Sequence, residues 1–476
     1  MKNILAILFI LLLVSSCKKL EDLNVNTKDP TTVPGESLFT GAQLRLSNGM
    51  TTPNVNINNF RMFVQHWTET TYIDEANYDI TTRPIPGNWW NIFYRDVLMN
   101  LKESAKVLQA AGTLPGDGPN VLPNKLAIVE VLTVYAYSVM VETFGNVPYS
   151  EALDPAIVLP KYDDGLTIYK DLITRLNAAI ASMDQGEASF GGADNMYYGD
   201  VAKWYKFANS LKLRMGMLLA DVDETLARTT VEAAAPNVIM SNADNALLTY
   251  MGSQPNNNPV NDNLVLSGRN DFVGANTLID VMNELNDPRL PFFFTTVGDP
   301  PAYIGGIYGE SNDFSQFSHV APALTESTYP SNFFDLTEVE FLLAEGVERG
   351  FLGGTAEEHY NKAITASIEA YGGTAGEIAT YLADPKVAYS TAVGDWKQKI
   401  GTQKWIALYN RGFEGWTAWR MLDYPKLVAP PDADSDVPLR LTYPVAEQTL
   451  NGANRAAAAA AIGGDDVATK LFWDKN

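Results

Sequence analysis

The chain has one cysteine, Cys17, and only three histidines, His66, His319 and His359, in 476 residues. A single thiol gives neither a disulfide framework nor a thiolate metal cluster, so stability must come from a packed core. Basic residues are also scarce: 34 Lys and Arg stand against 56 Asp and Glu, a formal net charge of -22. Such a surface repels nucleic acid and anionic lipid, and nucleic-acid functions drop out. H-E-x-x-H, G-x-S-x-G and the P-loop are missing, which removes the commonest metalloprotease, hydrolase and nucleotide chemistries. His66 lies among apolar residues and reads as a packed core histidine. Among so many carboxylates a glycosidase pair remains open, which keeps a lipid-anchored glycoside hydrolase as the rival reading.

What the chain does contain begins at its N-terminus. Met1-Lys2-Asn3 is a short basic head, and the apolar run from Ile4 to Val14 is too short to span a bilayer, which needs about 20 residues. This is the form of a secretory signal. Ser15 and Ser16 before Cys17 resemble the lipobox of bacterial lipoproteins, in which the signal is cleaved and Cys17 becomes the acylated N-terminus. Each acyl CH₂, of palmitate for example, adds about 0.8 kcal/mol of membrane affinity, so two or three chains hold firmly. Cleavage would remove one charge, Lys2, taking -22 to -23. The expected organisation is a signal over 1–16, a lipidated N-terminus and polar tether over 17–34, and one domain over 35–476.

The body reads as mainly helical. From Phe60 to Ala76 aromatics and aliphatics fall on helical spacing, ending in an irregular loop over Thr81–Asn88. A second helix begins at Trp89 and carries Trp90, Phe93, Val97, Leu101 and Leu108 as an apolar stripe. After the loop from Gly112 to Pro123, Lys125–Phe144 is apolar all round and must be buried on several sides. Amphipathic helices follow at Asp163–Met183 and Asp200–Leu219. The stretch from Met251 to Asn332 is rich in Asn, Pro, Gly and aromatics without a helical period, and reads as ordered loops. Helix resumes over Leu336–Arg349, Ala356–Tyr371 and Trp396–Met421. Neighbouring helices with short connections suggest stacked hairpins. Leu343, Ala344 and Val347, followed by Ala356, Tyr360 and Ala363, match the tetratricopeptide pattern of large and small residues, and Trp204, Phe207, Ala208 and Leu211 match its first half.

Several segments, taken in order behind the lipobox, resemble the SusD/RagB family of nutrient-binding outer-membrane lipoproteins, and within it the SusD-like second branch. They are Phe144-Gly145-Asn146-Val147-Pro148-Tyr149, Glu338 to Glu345 (EVEFLLAE), Gln403 to Tyr409 (QKWIALY), and Pro438 to Pro444 (PLRLTYP) followed by Glu447, Asn451 and Asn454. The resemblance implies tetratricopeptide-like helical hairpins with a packed loop-rich region. It also implies an anchored, surface-exposed protein of the cell outer membrane that is not an enzyme. Its partner would be a SusC-like TonB-dependent transporter, to which it delivers oligosaccharide or another nutrient.

A sugar site needs aromatic faces for C–H patches and polar groups for hydroxyls. Three stretches mix them: Tyr72–Trp90, Gln254–Arg269 and Tyr303–Phe317. From these we expect Tyr78, Trp89, Tyr303, Tyr308, Asn257 and Arg269 at the ligand, with Trp204, Trp405, Trp416 and Trp419 in the core. Asp432, Asp434 and Asp436 have the alternation of a calcium loop, but Val437 replaces the turn glycine and Tyr443 stands where the bidentate Glu belongs. The segment reads as a solvated acidic loop, with calcium as the alternative.

Overall fold

The computed structural model describes residues 33–475. The signal, Cys17 and nearly all of the tether lie outside the described residues. The body is mainly α-helical, as expected. Helix α1 (Gly35–Thr51) packs on α2, a run of the segments Ile85–Asn91, Ile92–Leu98 and Met99–Ala111 whose middle segment is a π-helix. Then come α3 (Val121–Phe144), α4 (Gly165–Ser182), α5 (Val201–Leu218) and α6 (Glu224–Ala234). After a loop-rich middle follow α7 (Asn276–Glu284), α8 (Leu336–Glu348), α9 (Ala356–Ala370), α10 (Ala375–Ala383), α11 (Trp396–Ala407) and α12 (Gly412–Leu422). Two short helices, α13 (Val445–Leu450) and α14 (Gly452–Ala461), close the chain.

Side-chain caps set many of these starts. Asp164, Asp200, Asp223, Asp335 and Asp395 each accept a backbone N–H in the first turn of the helix they precede, and Thr374 with Glu377 forms a capping box. Each such cap stabilises its helix by about 1 kcal/mol. The pairs α3–α4, α5–α6 and α8–α9 form antiparallel-style hairpins, each helix packed on the next. Ala344 on α8 and Ala363 on α9 are fully buried, as the tetratricopeptide pattern requires. At the α5–α6 crossing, a Cβ on Gly216 would meet Val231 Cγ2 at 3.0 Å, so only a residue without a side chain fits unstrained. Helix α3 is long and apolar enough to cross a membrane, yet 89% of its most apolar window is buried inside the protein. It is the central core helix.

Charge in this core is compensated. Glu338 takes both ends of Arg214 at 2.7 and 3.0 Å, and Arg411 at 2.6 Å. Burial alone would raise the Glu338 carboxyl, but the two guanidinium groups outweigh it and hold it at about 2. The motif residues that carry the family resemblance are therefore scaffold. Asn146 accepts from Gly165 N at 2.8 Å, Arg440 donates to Phe144 O, and Asn451 donates to Pro160 O, so the end of α3 and the C-terminal tail are laced together.

Two helical expectations fail. Residues 60–76 are helical only over Phe60–Phe63 and then run into strand β1 (Trp67–Glu69), because β1 finds a partner strand far along the chain. The expected helix Trp396–Met421 is broken into α11 and α12 at Asn410, which takes a φ of 65° and holds Arg61 through its side-chain and backbone oxygens. Within the middle region, α7 is a helix where only loop was expected.

Candidate functional site

Strands carry little of the fold but position the loops. Strands β2 (Val147–Pro148) and β3 (Tyr162–Asp163) pair with each other, as do β4 (Ala246–Leu248) and β6 (Ser331–Phe334). The pair that matters here is β1 with β5 (Phe272–Gly274), antiparallel, with Glu69 opposite Phe272. Thr70 N donates to Asp271 O, and Thr70 Oγ1 to Asn270 O, extending the contact beyond the strands. The loop from Tyr303 to Phe317 is pinned to the same place. Asn312 N donates to Thr70 O, its Nδ2 to Glu69 O, and Gly306 N to Gly274 O. Three stretches distant in sequence, all singled out for their mixture of aromatic and polar residues, therefore meet at one short strand pair.

Beside this strand pair is a cavity of about 220 Å³, lined by the 53–56 segment and by Glu69, Tyr72, Glu75, Arg83, Asn263 and Arg269 among others. Tyr72 is 61% exposed, a large ring on the rim. Arg269 is also exposed and pairs with Asp271 at 2.6 Å. Beside this cavity lies a second of about 280 Å³, sharing Arg269, Asp271 and Phe272 with the first, and reaching Phe314 and His319. Phe314 stacks on the His319 ring with centroids 4.1 Å apart. Tyr72 stands exposed on the first cavity and Phe314 half-buried on the second, and the Arg269–Asp271 pair lines both; we call the first the groove.

On the floor of the first cavity two acids meet. Glu69 and Glu75 are buried side by side in the lining, their carboxyl groups in contact. Glu69 Oε2 accepts from Ala76 N at 2.9 Å, and Arg83 is ion-paired with Glu75. Burial first, and the neighbouring Glu75 charge second, push the Glu69 carboxyl far above the usual carboxylate range. Carboxyl groups in direct contact cannot flank a glycosidic bond, which requires a separation of about 5 Å or more. The pair forms part of the floor of this cavity, and its spacing does not suit the cleavage of a glycosidic bond.

Most of the residues expected at the ligand lie elsewhere. Trp89 is fully buried on α2 against Phe60 and Phe93, because its helix starts at Ile85 and so includes it in the apolar stripe. Tyr78 is buried against Phe63, its hydroxyl accepting from Gln65 Nε2 at 2.9 Å. Tyr308 is buried, its hydroxyl donating to Met62 O at 2.6 Å. Asn257 is buried and donates to Asn261 Oδ1 and Asp262 Oδ1, ordering its own loop. These loop aromatics fasten loops to the core. Tyr303 is half-buried and lines neither cavity. Arg269 alone of the six faces the groove. Trp204, Trp405, Trp416 and Trp419 are core residues as expected. His66 is fully buried beside Trp405 and Tyr409, and burial lowers its imidazole to about 3. Asp432, Asp434 and Asp436 are exposed. Among the described residues no group of three or more His, Cys, Asp or Glu side chains is placed to hold a metal ion.

The residue missed was Tyr72. It belongs to the first mixed stretch, but the helical reading of 60–76 hid the fact that the chain leaves helix at Phe63 and presents this ring on an exposed turn.

The SusD-like_2 family, described as starch-binding and associating with the outer membrane, matches residues 26–444. The chain belongs to this family. It is thus a member of a family of outer-membrane-associated carbohydrate-binding proteins, not of enzymes. Among solved structures, the SusD-like chain is similar to a chitin-binding protein at 26% identity, covering 93% of this chain and 100% of that one, with a TM-score of 0.80. It is similar to a SusD homologue from Bacteroides uniformis at 26% identity, over 93% and 99% of the two chains, with a TM-score of 0.78. A chitin-binding SusD homologue from Flavobacterium johnsoniae, at 24% identity over 93% and 99% with a TM-score of 0.79, shares the fold. The comparison with curated proteins gives no match.

Proposed function

We propose that this SusD-like protein is anchored to the outer membrane through acylated Cys17, carries a signal over 1–16 and a tether to about residue 34, and exposes its single domain at the cell surface. There it captures an oligosaccharide in the Tyr72–Arg269 groove and delivers it to a SusC-like TonB-dependent transporter. The observation that carries this reading is the exposed Tyr72 ring beside Arg83, Asn263 and Arg269. A sugar's C–H face can pack on the ring while its hydroxyls reach the polar groups. The larger cavity elsewhere, about 500 Å³ over Trp90 and Tyr94, suits sugar less well. Trp90 is buried, and the Tyr94 hydroxyl is already spent on Pro148 O at 2.6 Å. Similarity to a chitin-binding protein places N-acetylglucosamine oligomers in the first rank of ligands to try.

The test is calorimetric titration with chitohexaose, maltohexaose and xylohexaose beside thermal melts. Tyr72→Ala is expected to keep the parent melting temperature and weaken binding roughly tenfold, about 1.4 kcal/mol. Trp405→Ala is expected instead to unfold early, since removing a buried Trp costs about 3–5 kcal/mol. Normal binding by Tyr72→Ala would place the ligand elsewhere.

A further inference from the structure

We propose that Glu69 and Glu75, joined carboxyl to carboxyl on the floor of the groove, set its ligand class: they admit neutral glycans and turn away uronic-acid and other anionic ones. This rests on the reading of the Tyr72–Arg269 groove as the glycan site.

The argument is one of charge at close quarters. Glu69 stands at the end of β1 with one oxygen fixed on Ala76 N, and Glu75 follows on the next turn with its charge set against Arg83. Two carboxylates in contact in a buried place cannot both be ionised, so the pair holds one proton. Burial raises both carboxyls, Glu69 further because the Glu75 charge adds to it, while contact with Glu69 and the Arg83 charge draw Glu75 back. The other charged or titratable groups nearby are Asp74 on the same loop, Arg83 on the next, Asp271 with Arg269 beyond the partner strand, the Tyr72 hydroxyl on the rim and the Tyr308 hydroxyl behind. Both guanidinium groups are therefore taken, Arg83 by Glu75 and Arg269 by Asp271. An incoming carboxylate or sulfate meets an acid pair and Asp74, with no free cation among the described residues of the lining to receive it. A sugar hydroxyl or acetamido N–H meets carboxyl oxygens that accept its hydrogen bond. The rest of the protein points the same way, since its formal charge of -22 disfavours a polyanion at long range.

Two variants separate the roles within the pair. Glu75→Gln releases Arg83 and makes the floor cationic. Glu69→Gln replaces the shared proton by an amide N–H that does not titrate. In the parent, raising the pH removes the proton, sets two anions face to face and disturbs the floor.

The experiment is calorimetric titration of the mature chain with chitohexaose, maltohexaose, xylohexaose and hexagalacturonate from pH 6 to pH 10, with melting temperatures recorded at each pH. We expect the best neutral hexaose to bind at least about tenfold tighter than hexagalacturonate. Its affinity should fall by about tenfold toward pH 10. Glu69→Gln should flatten that profile, and Glu75→Gln should narrow the preference against galacturonate. If the parent binds hexagalacturonate as tightly as a neutral hexaose, or binds its neutral ligand equally at pH 6 and pH 10, the assignment to the pair is overturned. Tyr72→Ala distinguishes the two levels. When it abolishes binding and either of those results is found, only the pair's role falls; when it binds normally, the groove reading falls and the pair's role with it.

Discussion

At the scale of single residues, burial decides what a side chain is for. His66 and Tyr72 are near neighbours in sequence, yet one is sealed in the core and the other stands on a rim. A neutral buried imidazole has a consequence for stability. The unfolded chain binds a proton at His66 below about pH 6.5, but the native protein does not until about 3. Stability is therefore lost as pH falls through that window, by up to about 1.4 kcal/mol per pH unit from this one group. Glu142 acts in the opposite sense. Burial raises its carboxyl to about 7, so the native state holds a proton that the unfolded state has released, and stability falls as pH rises from about 4.5 to 7. Urea denaturation at pH 7 and pH 4 is expected to show the parent-minus-variant difference for His66→Gln shifting in favour of the variant as the pH falls. A difference that does not change with pH would contradict a neutral His66. Tyr78, Trp89 and Tyr308 teach the same lesson at the site: aromatic type and loop position were legible in the sequence, and burial was not, because it depends on where Phe63, Gln65 and Met62 are brought by the fold.

At the scale of elements, the helical hairpins are held apart by the size of what lies between them. Ala344 on α8 and Ala363 on α9 are fully buried, so Ala344→Leu and Ala363→Leu overpack the interface and are each expected to cost roughly 1–3 kcal/mol, read as lower urea midpoints. Unchanged midpoints would show these positions to have slack. Helices with sustained apolar spacing and an Asp or Thr cap, such as α4, α5, α8 and α9, were readable to within a residue or two, since periodicity and capping are local properties. The failures were elements fixed by distant partners. The strand β1 exists because β5 lies across from it, some two hundred positions away, and Thr68 and Thr70 suit an extended chain as well as a helix tolerates them. The break between α11 and α12 was signalled by Asn410 and Gly412, whose place against Arg61 only the fold supplies: a Cβ on Gly412 would stand 2.6 Å from Arg61 N. The groove shares that dependence, being assembled from three loops by one strand pair, so its ingredients could be picked out along the sequence but not their meeting point.

At the scale of the whole molecule, a helical scaffold laced by motif residues carries a loop-built groove, and the proposed anchor at Cys17 sets where the groove works. The formal charge of -22 offers no attraction to an anionic bilayer, so the proposed anchor would have to hold the membrane through its acyl chains. Cys17→Ala is expected to leave a folded protein that washes off outer-membrane preparations; retention by the washed membranes would contradict the anchor. The central claim, however, is the place of the ligand, and the most direct measurement is a crystal structure of the mature protein with a bound hexaose from the neutral panel. The account predicts a sugar ring against Tyr72, hydrogen-bonded to Arg269 or to the Glu69–Glu75 floor. A hexaose seated over Trp90 and Tyr94, or anywhere away from the β1–β5 junction, would contradict it.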